Sequence, residues 1–445
     1  MMLSPSRFVW KVDESSNFGG LSEVFLMNMR RHILWPLCLL LLLGSHVAWA
    51  ADITNVADSF DTENKNPFDF RVRLSYQLLT TDATIARERG TRPEQFFDYV
   101  PEFKASYTRH MMNIMPKIGL YKDLEIRLNI PIVFSETFNY KAVTGDGTGT
   151  SLLDEGIVSN PLMRSRHGPG LGDMMVGLRW APFNDYRDRT VATWVIGFNW
   201  LFPTGQLWDP KDPKLAADQA GLGVGRGAHI LSWYLALSKR AFIFEPYIKI
   251  QYDLYTYQET TKEELQNGLN SISGEARAVE EALTTNHAGH ISIGSEIVFW
   301  EHYGRQQKLA LDLRFTAYGR FRGRYHNIFT DMLASYQPEA SDGTPLRASL
   351  ITDNEQQFAF AGQAAFHFKL AKYGYIRIEG MIKHVLPFFL TTAKRGVDKN
   401  GNGFVDPGTD EVYPYHVRTL DGIGKRIRQI DTFTYKFQVY LALTI

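Results

Sequence analysis

Apolar and polar residues alternate with a period of two over long stretches of the chain. Toward the C-terminus, Phe433, Tyr435, Phe437, Val439, Leu441, Leu443 and Ile445 alternate with Thr434, Lys436, Gln438, Tyr440, Ala442 and Thr444. Successive side chains of a β-strand point to opposite faces, so this segment reads as a strand with one apolar face. The pattern recurs at Phe68, Phe70, Val72, Leu74, Tyr76 and Leu78, set against Asp69, Arg71, Arg73, Ser75 and Gln77. It recurs at Leu124, Ile126, Leu128, Ile130 and Ile132, and again at Phe242, Phe244, Ile248, Ile250, Tyr252 and Leu254. Leu309, Leu311, Leu313 and Phe315 repeat it, as do Ile376, Ile378 and Ile382.

Twelve strands follow, over 68–79, 103–121, 124–135, 171–182, 190–203, 227–238, 241–255, 287–300, 307–322, 356–370, 373–388 and 431–445. Most exceed the ~5–6 residues usual in soluble sheets and reach the ~9–11 that a tilted strand needs to cross lipid. Tight turns fall at Lys122-Asp123, at Lys239-Arg240 and near Ala371-Lys372, with slightly longer ones near Asn184–Arg189 and His302–Gln306. Between them lie long connections at 80–102, 136–170, 204–226, 256–286, 323–355 and 389–430. Compact soluble domains seldom carry loops beyond ~12–15 residues. Short turns at one end, long loops at the other and an even strand number describe a twelve-stranded antiparallel transmembrane β-barrel of the bacterial outer membrane. A soluble β-sandwich would also alternate, but it leaves the loop asymmetry and the strand lengths unexplained.

The N-terminal region reads differently. Met29-Arg30-Arg31-His32 is basic, Ile33–Leu43 is apolar, and Ala48-Trp49-Ala50 has the small-x-small pattern of a cleavage site. These are the three regions of a secretory signal peptide, and the apolar run is shorter than the ~20 residues of a spanning helix. The expected organisation is an extension with a cleaved signal over 1–50, a periplasmic N-terminal segment over 51–67, and the barrel over 68–445. The chain is thus expected to be exported to the outer membrane of a Gram-negative bacterium. Its partners there are outer-membrane lipid and, through the C-terminal strand, the barrel-assembly machinery.

Composition adds to this picture. The 445 residues carry 48 basic and 48 acidic side chains, so net charge gives no reason to expect nucleic acid as a partner. The one cysteine, Cys38, lies inside the signal, which excludes a disulfide framework within the chain. Aromatic residues make up 13%, as expected for a protein whose strands meet lipid at girdles of rings.

With the apolar face outward, the inward face is charged. Arg71, Arg73, Glu125, Arg127, Asp173, Arg179, Glu245, Lys249, Asp312, Arg314, Arg377, Glu379 and Lys383 are the expected lumen-lining residues. They either line a water-filled path or pair across the lumen and fill it; twelve strands lie between filled small barrels and open porins. In the last long loop, Asp398, Asn400, Asn402, Phe404 and Asp406, with Gly403 at the sharp turn, match the start of a calcium loop. Position twelve is Thr409 rather than Glu, and an ordinary Asn-Gly-rich turn is the other reading. No cofactor is required, and calcium is the one metal considered. Thr261–Leu283 mixes Glu with Leu, Ile and Val at helical spacing and reads as a helical insert.

His290 and Ser292 share a strand face, and in this they resemble outer-membrane phospholipase A. Ile293-Gly294 follows where that enzyme type has an Asn-Gly pair, and the alternation turns both side chains inward, away from lipid. No G-x-S-x-G, P-loop or H-E-x-x-H motif is present. A channel for passive passage of small solutes is therefore expected, with a lipid-modifying barrel enzyme or a filled structural barrel as alternatives.

Three short motifs carry a family resemblance. Gly119-Leu120-Tyr121-Lys122-Asp123-Leu124-Glu125-Ile126, followed by Asn129-Ile130-Pro131, is the first. Gly170-Leu171-Gly172-Asp173 with Gly177-Leu178-Arg179-Trp180 is the second, and Phe202-Pro203-Thr204-Gly205 with Gly221-Leu222-Gly223 is the third. Together they resemble the outer-membrane barrel family associated with the phenol meta-degradation pathway. The resemblance implies a transporter that admits hydrophobic or aromatic compounds, and it carries no catalytic residue.

Overall fold

The computed structural model describes residues 51–57, 70–89, 98–143, 151–158, 164–167, 169–185, 187–205, 224–225, 227–257, 286–302, 305, 307–333, 351–370, 374–406, 411, 413 and 416–444. The signal-like stretch 1–50, the helical insert at 261–283 and Thr409 lie outside the described residues.

Twelve antiparallel strands form the wall: β1 (Phe70–Arg89), β2 (Asp98–Tyr121), β3 (Leu124–Ala142), β4 (Met175–Phe183), β5 (Thr193–Leu201) and β6 (Ala228–Ser238), then β7 (Phe244–Tyr257), β8 (Asn286–His302), β9 (Gln307–Arg320), β10 (Gln357–Lys369), β11 (Gly374–Val385) and β12 (Ile427–Thr444). Each pairs with its neighbours in sequence. β1 then pairs with β12 from Arg71↔Thr444 to Arg87↔Ile427, which closes the barrel. Closure gives the wall no free edge, so its backbone polar groups can be satisfied without water.

The outer surface is apolar where a soluble protein would be polar. Leu74, Ile118, Leu178, Ile196, Ile250, Ile291, Ile293, Leu313, Phe315, Phe360, Ile378, Phe437 and Leu441 all stand exposed on it. Near the short turns, exposed Tyr121, Trp180, Phe183, Trp194, Phe242, Phe299 and Trp300 form one band of rings. Farther from the turns, Trp233 stacks on Tyr252 at 6.0 Å and Tyr252 on His287 at 5.9 Å. Two aromatic bands around an aliphatic belt suit the two interfaces of a bilayer.

β1 runs ten residues beyond its expected end at Leu79, and β2 starts at Asp98, so the first long loop shrinks to 90–97. The cause is an inversion of the pattern. Past Leu79 the inward positions Ala83 and Ile85 are buried, while Asp82 faces out and is exposed. The outer face there meets water and the inner face meets other loops, so an apolar outward stripe no longer marks the strand. β3 likewise continues from 135 to Ala142.

Among the described residues the largest apolar cluster is not in the middle of the barrel but at the long-loop mouth. Ile85, Phe103, Phe138, Leu152, Phe329, Met332, Leu333, Phe388, Leu390, Leu420 and Ile427 pack together there. They come from the upper ends of β1, β2, β3 and β12, from short helices at Ser151–Asp154, Ile328–Leu333 and Arg418–Asp421, and from residues 388–390. Burial of these side chains holds the cluster together as a hydrophobic lid over part of that end.

Candidate functional site

Residues 51–57, expected ahead of the barrel, run inside its short-turn end. Arg179 holds the segment by its backbone, donating to the carbonyls of Ile53 at 2.7 Å and Asn55 at 3.1 Å. The amide of Ala57 donates to Glu125 at 2.7 Å, and Thr54 shares a hydrogen bond with Ser238 at 2.7 Å. Val56 packs against Ala181, Val195, Tyr234 and Ala236, the inward side chains of β4, β5 and β6. Asp52 pairs with Arg73 at 3.0 Å and Arg377 at 3.3 Å. Burial alone would raise the pKa of this carboxyl, but Arg73 and Arg377 hold it well below the usual carboxylate range.

Above the segment lies a cavity of about 260 Å³. Its cationic lining is Arg73, Lys117, Arg127, Arg179, Lys249, Arg314, Arg377 and Lys436, against the carboxylates of Asp52 and Glu379. Met115, Leu128, Met175, Tyr234 and Tyr440 supply its apolar patches. Most of the charges are matched around the wall. Glu125 takes Lys117 at 3.6 Å and Arg179 at 3.5 Å. Asp312 takes Arg314 at 3.0 Å and Arg377 at 3.1 Å, while Glu379 takes Arg377 at 2.8 Å and Lys436 at 2.5 Å. Such buried pairs are strongly coupled, since removing one partner strands the other.

Two cations stand apart. Lys249 sits with Nζ 4.4 Å from the ring centre of Tyr234, and Arg127 approaches the same ring at 5.9 Å. Arg127 donates to Asn199 Oδ1 at 2.8 Å, and its buried Nε has no hydrogen-bond partner among the described residues. Neither cation pairs with a carboxylate among the described residues. Backbone geometry places the ring. Tyr234 stands opposite Gly197 across β5 and β6, where the glycine leaves it room.

The other expected lumen residues fall into distinct places. Arg71 reaches Asn55 Oδ1 at 3.5 Å. Lys383 lies over the Tyr318 ring at 4.8 Å. Glu245 is buried beside the start of the N-terminal segment and away from the cavity lining. Asp173 lies outside the strands, in the bend before β4, and accepts the amide of Gly205 at 3.0 Å. The expected start at 171 is met by Gly170–Leu171, which pairs with β3 at Val133 and Ile132, and the break at 172–174 separates it from β4.

The calcium-like turn is held by its own amides. Asp398 accepts from Gly401 and Gly403, each at 2.7 Å, and the side chains of Asn400 and Asn402 both donate to Asp406 Oδ2 at 2.9 Å. Phe404 donates its amide to Asn402 Oδ1 at 2.8 Å. Glu411, two residues beyond the position where an EF-hand has its bidentate Glu, accepts the amides of Lys399, Asn400 and Asp406. Among the described residues no group of three or more His, Cys, Asp or Glu is arranged to hold a metal ion.

Ser292 Oγ shares a hydrogen bond with Thr316 Oγ1 at 2.9 Å, and His290 lies 4.0 Å from Asp253 and 5.4 Å, ring to ring, from Tyr318. Both side chains are on the inner face; the neighbouring Ile291 and Ile293 are the ones exposed outside.

No family model matches the chain, and no curated protein matches it by sequence. Solved structures do. An outer membrane channel from Pseudomonas putida F1 aligns over 85% of this chain and 96% of its own, with 8% identity and a TM-score of 0.41. A FadL homologue from Pseudomonas aeruginosa aligns over 84% and 90%, with 8% identity and a TM-score of 0.32. The outer membrane protease OmpT from Escherichia coli aligns over 85% and 97%, with 7% identity and a TM-score of 0.29.

Sequence reasoning missed Tyr234 and the whole 51–57 segment, and it placed Tyr440 on the inner face without naming it as a site residue. Parity along 228–238 was the available signal for Tyr234, which shares a face with Ser232 and Ala236 while Trp233 faces out. Residues 51–57 have no periodicity and offered no signal at all.

Proposed function

We propose that the protein is a channel for small solutes in the outer membrane of a Gram-negative bacterium, and that small organic anions with an apolar or aromatic body fit it best. The closed wall, the aliphatic belt and the two aromatic bands support the membrane reading. The single observation that carries the solute class is the pair Arg127 and Lys249. Both flank Tyr234 at a cavity of about 260 Å³ and pair with no carboxylate among the described residues. A carboxylate would take the two cations, and an aromatic or aliphatic body would rest on Tyr234, Met175 and Leu128. This agrees with the hydrophobic or aromatic solutes that the family resemblance implies, and adds an anionic group to them.

A filled structural barrel is the second reading, favoured by what lies at the two ends: residues 51–57 at one and the apolar cluster at the other. Planar-bilayer recording separates the two. The channel reading expects ion current, a reversal potential on the anion side in a salt gradient, and block by a small aromatic carboxylate. A barrel silent both intact and after deletion of residues 51–57 is a filled one. Cation selectivity would remove the anionic solute class.

A further inference from the structure

Glu245 on β7 and Glu296 on β8 stand directly opposite each other, 0% and 2% exposed. Lys308 serves both, at 3.9 Å and 2.5 Å. One lysine thus answers two buried carboxylates, and the carboxylate of Asp185 adds negative charge within electrostatic range. Among the described residues Glu245 Oε2 accepts no hydrogen bond, a costly state for a buried anion. The start of the N-terminal segment is aimed at this pair. Ala51 donates its backbone N–H to Glu245 Oε1, Asp52 donates its own to Glu296 Oε2 at 3.2 Å, and Ala51 is fully buried.

Ala51 is also the residue that follows Ala48-Trp49-Ala50. A peptide nitrogen there offers one hydrogen and no charge. A free amino terminus offers three hydrogens and the positive charge the pair lacks. We propose that the α-ammonium of Ala51, created when the leader is removed, is the second cation of the Glu245–Glu296–Lys308 site and locks residues 51–57 into the lumen. Hydrolysis of the Ala50–Ala51 bond by a leader peptidase takes up one water; Ala50 leaves as a carboxylate and Ala51 keeps the ammonium. The uncleaved chain brings only a neutral amide, so the lumen segment is held less tightly before maturation than after it. The proposal concerns how the segment is fixed and goes beyond the channel reading.

The test is amine labelling of the folded, purified barrel with a small acylating reagent, read peptide by peptide in a mass spectrometer. The mature protein is expected to begin at Ala51, with its α-amine protected while exposed Lys122 is modified. In Glu245→Gln/Glu296→Gln the α-amine is expected to label about tenfold faster, as local opening of the segment becomes easier. A second variant keeps every carboxylate and inserts Gly-Ser between Ala50 and Ala51; its displaced α-amine is expected to label as freely as Lys122. The idea is overturned by a mature N-terminus other than Ala51, by a wild-type α-amine as reactive as Lys122, or by an inserted chain that stays protected. Ion current enters none of these readings, so failure of the channel reading and failure of this one are told apart.

Discussion

Gly197 on β5 and Tyr234 on β6 face each other across the wall, and the tyrosine ring occupies the space that a Cβ at position 197 would need. The absent side chain is what lets Tyr234 lean between Arg127 and Lys249. Gly197→Ala is therefore expected to destabilise the folded barrel by about 1–3 kcal/mol, the usual cost of overpacking a filled interior. It should also weaken anion selectivity, because the ring that flanks both cations must move. Urea unfolding in detergent and the reversal potential of the same variant check the two halves. An alanine variant as stable and as selective as the parent would show that the ring does not organise the cations.

Arg179 is the main clamp on the lumen segment, through the carbonyls of Ile53 and Asn55. Hydrogen bonds from a charged donor contribute about 1.5–3 kcal/mol each, so Arg179→Gln is expected to weaken the seat by about 3 kcal/mol. That corresponds to a rise of roughly a hundredfold in the unseated population. Single-channel recording should register more frequent and larger openings than in the parent. Unchanged gating would mean that other contacts hold the segment.

The mouth should respond to pH through Asp421. Burial pushes this carboxyl up to about 6 from an ordinary 3.8, although it accepts the amides of Val417 and Ala393, each at 2.9 Å. A raised folded-state pKa means that the protonated form is the better folded one. The stabilisation is complete below the ordinary value and is lost as pH rises through about 6. The lid around Leu420 is thus expected to be tightest in acid and to loosen by on the order of 3 kcal/mol toward neutrality. Amide hydrogen exchange at Ala393 and Val417 measures it, with Asp421→Asn expected to flatten the pH dependence. Protection that grows with pH would contradict the assignment.

Lipid hydrolysis is the one enzymatic reading with named residues. Ser292 is bonded to Thr316 inside the wall, while Ile291 and Ile293 take the lipid-facing positions. Ser292→Ala is expected to leave behaviour toward phospholipid vesicles unchanged, and the parent to release no fatty acid. Hydrolysis by the parent that is lost in the variant would establish the enzyme.

Legibility differed by element. The strands of the lipid zone were readable because lipid outside and charge inside impose opposite demands on alternate residues, as at Phe433–Thr444 against β1. The upper reaches of β1 and β3 were not, because Ile85 and Phe138 turn their apolar faces inward to the lid and so reverse the signal. Parity likewise assigned Arg73, Arg127, Arg179 and Lys249 to the inner face, where they meet at one cavity. It could not say that Arg127 and Lys249 would go without a carboxylate partner among the described residues. Pairing depends on which strands stand side by side at which height, and alternation along one strand carries no such information.

Alone, the sequence determined which residues face which medium, since a period of two follows from backbone geometry and needs no neighbours. It determined the strand number and the end at which the long connections lie. Only the tertiary structure decided what fills the barrel. Residues 51–57 have no period to read, and their place is set by Arg179, Glu125 and Glu245, which lie far apart in sequence and converge only when the sheet closes. A lumen is a property of the closed ring of strands, so its contents became legible once β1 met β12.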